Sequence, residues 1–170
     1  MSIIELLLKE IEQEAKATRN MLKIVPDDKF DWHPHPKSMS IMQLTNHIAE
    51  LPAWISMAIT TDGLDFASNP YESTTASTSA DALEIFENQY ADGRAYLKSA
   101  NEADLLKPWV LRSGNHILAD MNKYETVRIA IAQTIHHRAQ LGVYLRLLNI
   151  PIPGTYGPSA DDLEKMKQVA

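Results

Sequence analysis

The sequence predicts an all-α protein, an antiparallel four-helix bundle with a long connection after helix two and a short hairpin or irregular segment before helix four. Three observations support this fold class. The chain has 170 residues, its apolar residues recur at helical spacing in four segments, and each segment begins with a capping sequence. Residues 1–170 are therefore expected to form a single helical domain.

Capping boxes mark the four predicted helix starts. In each, a side chain that can accept a hydrogen bond precedes an acidic or amide side chain by three residues, so that the pair satisfies free backbone amides at the start of a helix. The pairs are Ser2 with Glu5, Ser40 with Gln43, Thr78 with Asp81, and Asn122 with Glu125.

The first predicted helix runs to about Lys23, and the second runs from Ile41 to about Thr60 with a bend at Pro52, which lacks a backbone N–H. Each has an apolar stripe at helical spacing, which should face the core. The stripes are Ile4, Leu7, Ile11, Ala15, Thr18 and Leu22, and Ile41, Leu44, Ile48, Leu51 and Ile55.

The third predicted helix follows a long polar connection over residues 63–79 and ends at about Ala100. Its inward residues are Leu83, Phe86, Tyr90 and Leu97. Residues 108–120 combine β-branched and aromatic residues with a Ser-Gly-Asn break, which indicates a short hairpin or irregular segment. The fourth helix should run from Lys123 to about Asn149, because Pro151 prevents continuation.

The composition excludes several classes of protein. No cysteine is present, so a disulfide framework, a thiolate metal site and a cysteine nucleophile are all ruled out. The net charge of -6 and the lack of a basic cluster argue against nucleic-acid binding, and no apolar run is long enough for a membrane span. Glu5, Lys9 and Glu10 interrupt the apolar N-terminus, so we expect no signal peptide and a cytoplasmic protein.

Two adjacent histidines, His136 and His137, lie within the predicted fourth helix. Neighbours in a helix point about 100° apart and cannot share a face. His137 lies opposite Arg128 and Arg146, which should mark the solvent side, whereas His136 lies toward the flank. His137 shares the core face with Ala130, Leu141, Tyr144 and Leu148.

Further polar side chains are expected near His137, with Gln133 one turn earlier and Gln140 about one turn later. Buried polar groups need partners, since each unpaired one costs about 1–3 kcal/mol. His47 of helix two lies beside its core face, so it could meet His137 inside the bundle. Two interpretations remain open: a metal site with two histidines and an oxygen donor, or a hydrogen-bonded core cluster of His47, His137, Gln133 and Tyr144.

The other histidines give no second site. His33 and His35 alternate with prolines and indicate a rigid extended loop, and His116 is expected to be solvated. His47 and Glu50 have the spacing found in di-iron bundles. We reject that interpretation, because Glu50 projects away from the apolar stripe and no second carboxylate–histidine pair is present.

Three stretches, "FDWHPHPKSMSIMQLTNHIAEL", "QTIHHRAQLGVYLRLL" and "IPIPGTYGPSADD", resemble the DinB/YfiT-like metalloenzyme superfamily. The resemblance implies a bundle, often a homodimer, with a divalent metal such as zinc or nickel held by three histidines. His47 matches the ligand of helix two, and His137 matches the second ligand of helix four. Gln133 stands where the first is usually histidine, and an amide oxygen is a poorer ligand than imidazole for these metals.

The resemblance also implies a function, a divalent-metal-dependent enzyme such as a thiol-dependent S-transferase or isomerase acting on a small molecule. His47 and His137 would be ligands, Gln133 a weak third, and Tyr144 and Gln140 would orient substrate or metal-bound water. A low-molecular-weight thiol would be the cosubstrate, because the protein has no thiol of its own. The alternatives are a metal-depleted bundle that binds a small ligand or is stress-associated without catalysis, and a purely structural polar network.

Overall fold

The computed structural model describes residues 1–68 and 75–169, which form six α-helices and three short strands. The helices are α1 (Ile3–Leu22), α2 (Ile41–Glu50), α3 (Ala53–Thr60), α4 (Ser79–Ser99), α5 (Lys123–Leu147) and α6 (Ala160–Val169). The strands are β1 (Gly63–Asp65), β2 (Pro108–Ser113) and β3 (His116–Asn122), and short 3-10 turns lie at Asp27–Lys29 and Glu102–Leu106.

The four predicted capping boxes are confirmed. At the starts of α1, α2, α4 and α5 the cap side chain accepts from the backbone N–H three residues later, and that residue's side chain accepts from the backbone N–H of the cap. The helix starts are therefore determined by local hydrogen bonding that involves only neighbouring residues.

The all-α prediction is wrong in one respect, because a three-stranded sheet with the order β1-β2-β3 packs beside the bundle. The predicted hairpin is confirmed as antiparallel β2 and β3. β1, in the segment expected to be a loop, pairs in parallel with β2, and Gly63 lies opposite Val110. The pairing joins residues far apart in sequence, so no local pattern indicates it; residues 69–74 of the predicted connection lie outside the described residues.

The predicted second helix is interrupted at Pro52 rather than bent. α2 ends at Glu50 and α3 begins at Ala53, and across the junction the N–H of Trp54 donates to the carbonyl of Leu51 at 3.1 Å, a tighter turn than an α-helix has. The ring of Pro52 removes one backbone donor and crowds the preceding turn, which explains the break.

Helix α6 was not predicted, although its start has the same local chemistry. The backbone N–H of Asp162 donates to Ser159 Oγ at 3.1 Å, and the N–H of Ser159 donates to an Asp162 carboxylate oxygen at 3.0 Å. This reciprocal pair is a capping box that the sequence already contains.

The core lies between α1, the α2–α3 pair, α4 and α5. The predicted apolar stripes face it; for example, Ile41, Leu44 and Ile48 of α2 are completely buried. Helix α2 packs directly against α5, and this contact sets the distance between their histidines. Among the described residues, no helix is both long and apolar enough to cross a membrane.

Candidate functional site

The rings of His47 and His137 are in contact, as the sequence predicted. Their centroids lie 4.6 Å apart with an angle of 79° between the planes, so the edge of one ring meets the face of the other. His47 comes from α2 and His137 from α5, and both side chains are half-buried. The direct packing of these two helices therefore brings two imidazoles to one place at the border of the core.

Gln140 lies beside His137, one turn later on α5. Its side-chain oxygen Oε1 is 2.9 Å from Nδ1 of the His137 ring. The ring of His136 also lies close to His137, at 4.9 Å between centroids, but its side chain is exposed to solvent. The prediction that His137 rather than His136 faces inward is confirmed.

Both histidines titrate below the ordinary range. Burial lowers the pKa of His47, and the nearby His137 lowers it further, while Glu50 acts in the opposite direction. Burial also lowers the pKa of His137; the hydrogen bond with Gln140 raises it, and the nearby His136 lowers it. Both rings are therefore neutral at neutral pH, which is the form of imidazole that binds metals.

An open cavity of about 700 Å³ lies beside His47. Its wall combines polar and apolar side chains from α2, among them Asn46, Glu50 and Met42, with residues 36–39 and Thr75. Such a mixture of apolar surface and a few polar groups is typical of a small-molecule site. The cavity places His47 within reach of a small ligand from solvent.

Glu50 is a correction to the sequence interpretation. Its side chain was expected to project away from the apolar stripe of α2, and its burial was not foreseen: it is only 7% exposed and lines the cavity next to His47. It lies off the apolar stripe, as predicted, and it is nevertheless covered by the elements packed around α2. Burial by other segments cannot be derived from the spacing of residues within one helix.

The structure does not bring Gln133 into the core. Its side chain is exposed, so its expected inward position is wrong. The buried stripe of α5 runs through Thr134, Arg138 and Leu141, and Gln133 lies about 100° around the helix from Thr134. Its role as a weak metal ligand stays a prediction.

Tyr144 is buried in the core, where its ring packs edge-on against Trp32 at 5.6 Å between centroids. It lies one turn beyond Gln140 on α5. Its expected role in orienting a substrate stays a prediction.

The remaining histidines lie on the surface. His33 and His35 are exposed in a loop, as predicted, but the loop is not extended throughout, because the N–H of Ser38 donates to the carbonyl of His35 at 2.8 Å and closes a turn. His116 is exposed at the start of β3, which confirms its predicted exposure to solvent.

The family model described as the DinB family matches residues 1–168. The chain belongs to the DinB family. Solved DinB structures have the same fold: a DinB-like protein of Bacillus subtilis has a TM-score of 0.69 at 18% identity, covering 88% of this chain and 97% of its own. None of the curated proteins matches the chain.

Two further structural neighbours of this DinB chain have a described activity. YfiT from Bacillus subtilis, called a probable metal-dependent hydrolase with an unusual four-helix bundle topology, has a TM-score of 0.66 at 10% identity over 89% of this chain and 91% of its own. A mycothiol-dependent maleylpyruvate isomerase has a TM-score of 0.56 at 12% identity over 82% of this chain and 60% of its own. At these identities the similarity shows the fold.

The DinB chain fits a divalent metal only in part. Two neutral imidazoles in contact are suitable donors for zinc or nickel, and the engagement of one His137 nitrogen with Gln140 leaves the other nitrogen for a ligand. Across residues 1–68 and 75–169, however, no group of three or more histidine, aspartate or glutamate side chains is arranged to hold an ion. The described residues therefore offer two imidazoles to an ion and no third strong protein ligand.

Sequence analysis missed a buried charged cluster next to this site. Arg138, which follows His137, is 2% exposed, and its Nη2 donates to Glu14 of α1 at 2.6 Å and to the hydroxyl of Tyr156 at 3.0 Å. The Tyr156 hydroxyl in turn donates to the Glu14 carboxylate at 2.9 Å. The cluster could have been predicted from the sequence. Arg138 and Glu14 carry opposite charges, and helical spacing places each of them on the same face as buried residues of its own helix.

Proposed function

We propose that this DinB-family protein is a divalent-metal-dependent enzyme, an S-transferase or isomerase that acts on a small molecule with a low-molecular-weight thiol as cosubstrate. The observation that carries the proposal is the contact of His47 with His137 beside the cavity of about 700 Å³. His47 and His137 would hold the metal, with Gln133 as a weak oxygen donor. When bound, such a metal lowers the pKa of a thiol or water and so supplies a nucleophile.

The side chains around the histidines have separate tasks in this proposal. Burial keeps both imidazoles neutral, and therefore able to bind a cation, to a lower pH than exposed histidines would allow. The cavity receives the small molecule, and its apolar wall excludes part of the water around it. Tyr144 and Gln140, on the same helix as His137, orient the bound molecule. The thiol comes from solution, since the chain has no cysteine.

The neighbours support this proposal at a coarse level. One is called a probable metal-dependent hydrolase and another a mycothiol-dependent isomerase, so a metal-dependent and a thiol-dependent activity are each named for a protein with this fold. A common fold does not transfer an activity, and the proposal therefore depends on the two imidazoles of this chain.

Elemental analysis of protein purified without chelator tests the proposal. We expect zinc or nickel close to one ion per chain in the wild type, loss of that ion in His137→Ala, and its retention in His136→Ala. The control removes an exposed imidazole from the adjacent position of the same helix. A wild type that neither retains nor binds added zinc or nickel, or equal metal content in the two variants, would overturn the proposal.

A second function is favoured because no third strong ligand stands beside the two histidines in the part of the chain that the structure describes: a bundle that binds a small ligand without metal or catalysis. The substitution Gln133→His distinguishes the two. If the pocket is a metal site, a third imidazole should raise zinc affinity by more than the roughly 10–100-fold typical of outer-shell changes. Titration calorimetry measures this, and an unchanged affinity would favour the metal-free function.

Homodimer formation is also proposed from the family resemblance. Val143 and Leu147 support it, because these apolar side chains on the outer face of α5 are each 58% exposed. Light scattering during size-exclusion chromatography would test it, and a monomer at all concentrations would contradict it.

A further inference from the structure

We infer that Gln140 is a positioning residue that fixes the tautomer of His137, holding the proton on Nδ1 so that Nε2 keeps its lone pair. The inference deepens the proposed function, because a neutral imidazole can bind a metal only through a nitrogen that carries no proton. The link to metal binding rests on the proposed function. The tautomer itself is a property of the metal-free protein and can be measured without a metal.

The inference starts from the contact between the two side chains. Nδ1 of His137 lies 2.9 Å from Oε1 of Gln140, which is a normal hydrogen-bond distance. With the amide oxygen toward the ring, the ring nitrogen is the donor, because an amide oxygen has lone pairs only and cannot donate. In a neutral ring, a proton on Nδ1 leaves Nε2 unprotonated.

The position of Gln140 in α5 makes this contact persistent. Residues three apart in a helix lie on the same side, so Gln140 reaches His137 within one rigid element and without help from a loop. Both side chains are partly buried, which limits competition from water for the Nδ1 proton. Metal-ligating histidines commonly donate the other ring N–H to such an oxygen, which orients the ring and sets its tautomer.

The neutral amide of Gln140 can also turn its NH₂ group toward Nδ1. Two substitutions at this position therefore test which orientation holds. If the amide turned by 180°, its NH₂ group would face Nδ1, and the ring would have to carry its proton on Nε2. A carboxylate at this position can only accept, whereas a thioether provides almost no hydrogen bond. Gln140→Glu should therefore keep the proton on Nδ1, whereas Gln140→Met removes the acceptor that holds it there.

The experiment is long-range proton–nitrogen NMR of the histidine rings in metal-free protein, at a pH where the rings are neutral. The signals of His137 are assigned by their loss in His137→Ala. We expect Nε2 to be unprotonated in the wild type and in Gln140→Glu, and a mixture of both tautomers in Gln140→Met. Gln13→Met, at an exposed glutamine of α1 outside the proposed site, is the matched control and should leave the ring unchanged.

Zinc titration of the same proteins separates this inference from the proposed function. Loss of an orienting hydrogen bond should weaken zinc binding roughly 10–100-fold in Gln140→Met. If the tautomer shifts as expected but no protein binds zinc, the inference stands and the proposed function fails. A wild-type ring protonated on Nε2, or a His137 tautomer that is the same in Gln140→Met, overturns the inference, provided that circular dichroism shows the variant folded.

Discussion

Replacing Arg138 by leucine should destabilise the protein strongly, because the substitution leaves the carboxylate of Glu14 buried without its counter-ion. The Arg138 side chain is 2% exposed and that of Glu14 is 9% exposed. Arg138 donates to Glu14 at two points, through Nη2 to the carboxylate at 2.6 Å and through Nη1 to the main-chain oxygen at 3.1 Å, and Nη1 also donates to Thr18 at 3.1 Å. In the variant, the Tyr156 hydroxyl still donates to the carboxylate.

Breaking a buried ion pair by removing one partner costs about 3–5 kcal/mol. In a protein of this size each kcal/mol corresponds to roughly 2–4 °C in melting temperature, so Arg138→Leu should lower it by about 10 °C. Urea unfolding followed by circular dichroism measures the free energy, and a thermal scan measures the shift. The removal of both charges in Glu14→Leu with Arg138→Leu should recover part of the loss, because no uncompensated charge then remains.

Arg146→Leu is the matched control. Arg146 lies two turns later on the same helix and pairs with Asp161; the Arg146 side chain is 45% exposed and that of Asp161 is 16% exposed. Solvent screens this pair more than the buried one, so Arg146→Leu should lower the stability clearly less than Arg138→Leu does. Equal losses for Arg138→Leu and Arg146→Leu, or a double variant less stable than Arg138→Leu, would refute the reasoning that burial makes the first pair critical.

Two further predictions concern packing and pH. Gly93→Ala should destabilise the protein by about 1–3 kcal/mol, because the new Cβ would lie 2.8 Å from the carbonyl oxygen of Pro52. Gly157→Ala is the control and should have little effect, because no atom lies within 4 Å of its Cβ. Similar melting temperatures for the two variants would contradict the close approach of Gly93 to Pro52. Folding lowers the pKa of His47 and His137, so the unfolded chain binds more protons than the folded one, and stability without metal should fall as the pH drops below about 6.5. Urea unfolding with chelator present, repeated at several pH values, should show this fall in the unfolding free energy of the wild type. The fall should be smaller when both histidines are replaced by asparagine. An equal pH dependence of the two proteins would argue against the lowered pKa values of His47 and His137.

The site shows how far a sequence pattern can lead. The choice of His137 over His136 followed from helix geometry alone, and it is correct because the buried face of a helix repeats at a known angle. The same rule placed Gln133 too far inward, since the boundary of the buried face depends on neighbouring helices. The burial of Glu50 was not foreseen for the same reason, because its cover comes from other segments.

The sequence by itself determined the helix starts and the inward stripes of the bundle, because capping and helical periodicity involve residues within a few positions of one another. It also contained the missed capping box of α6. Only the tertiary structure decided the parallel pairing of β1 with β2, the burial of Arg138 with Glu14 and Tyr156, and the contact distance between His47 and His137. Each of these depends on segments far apart in the chain, and their relative placement is set by the packing of the whole core rather than by any local preference.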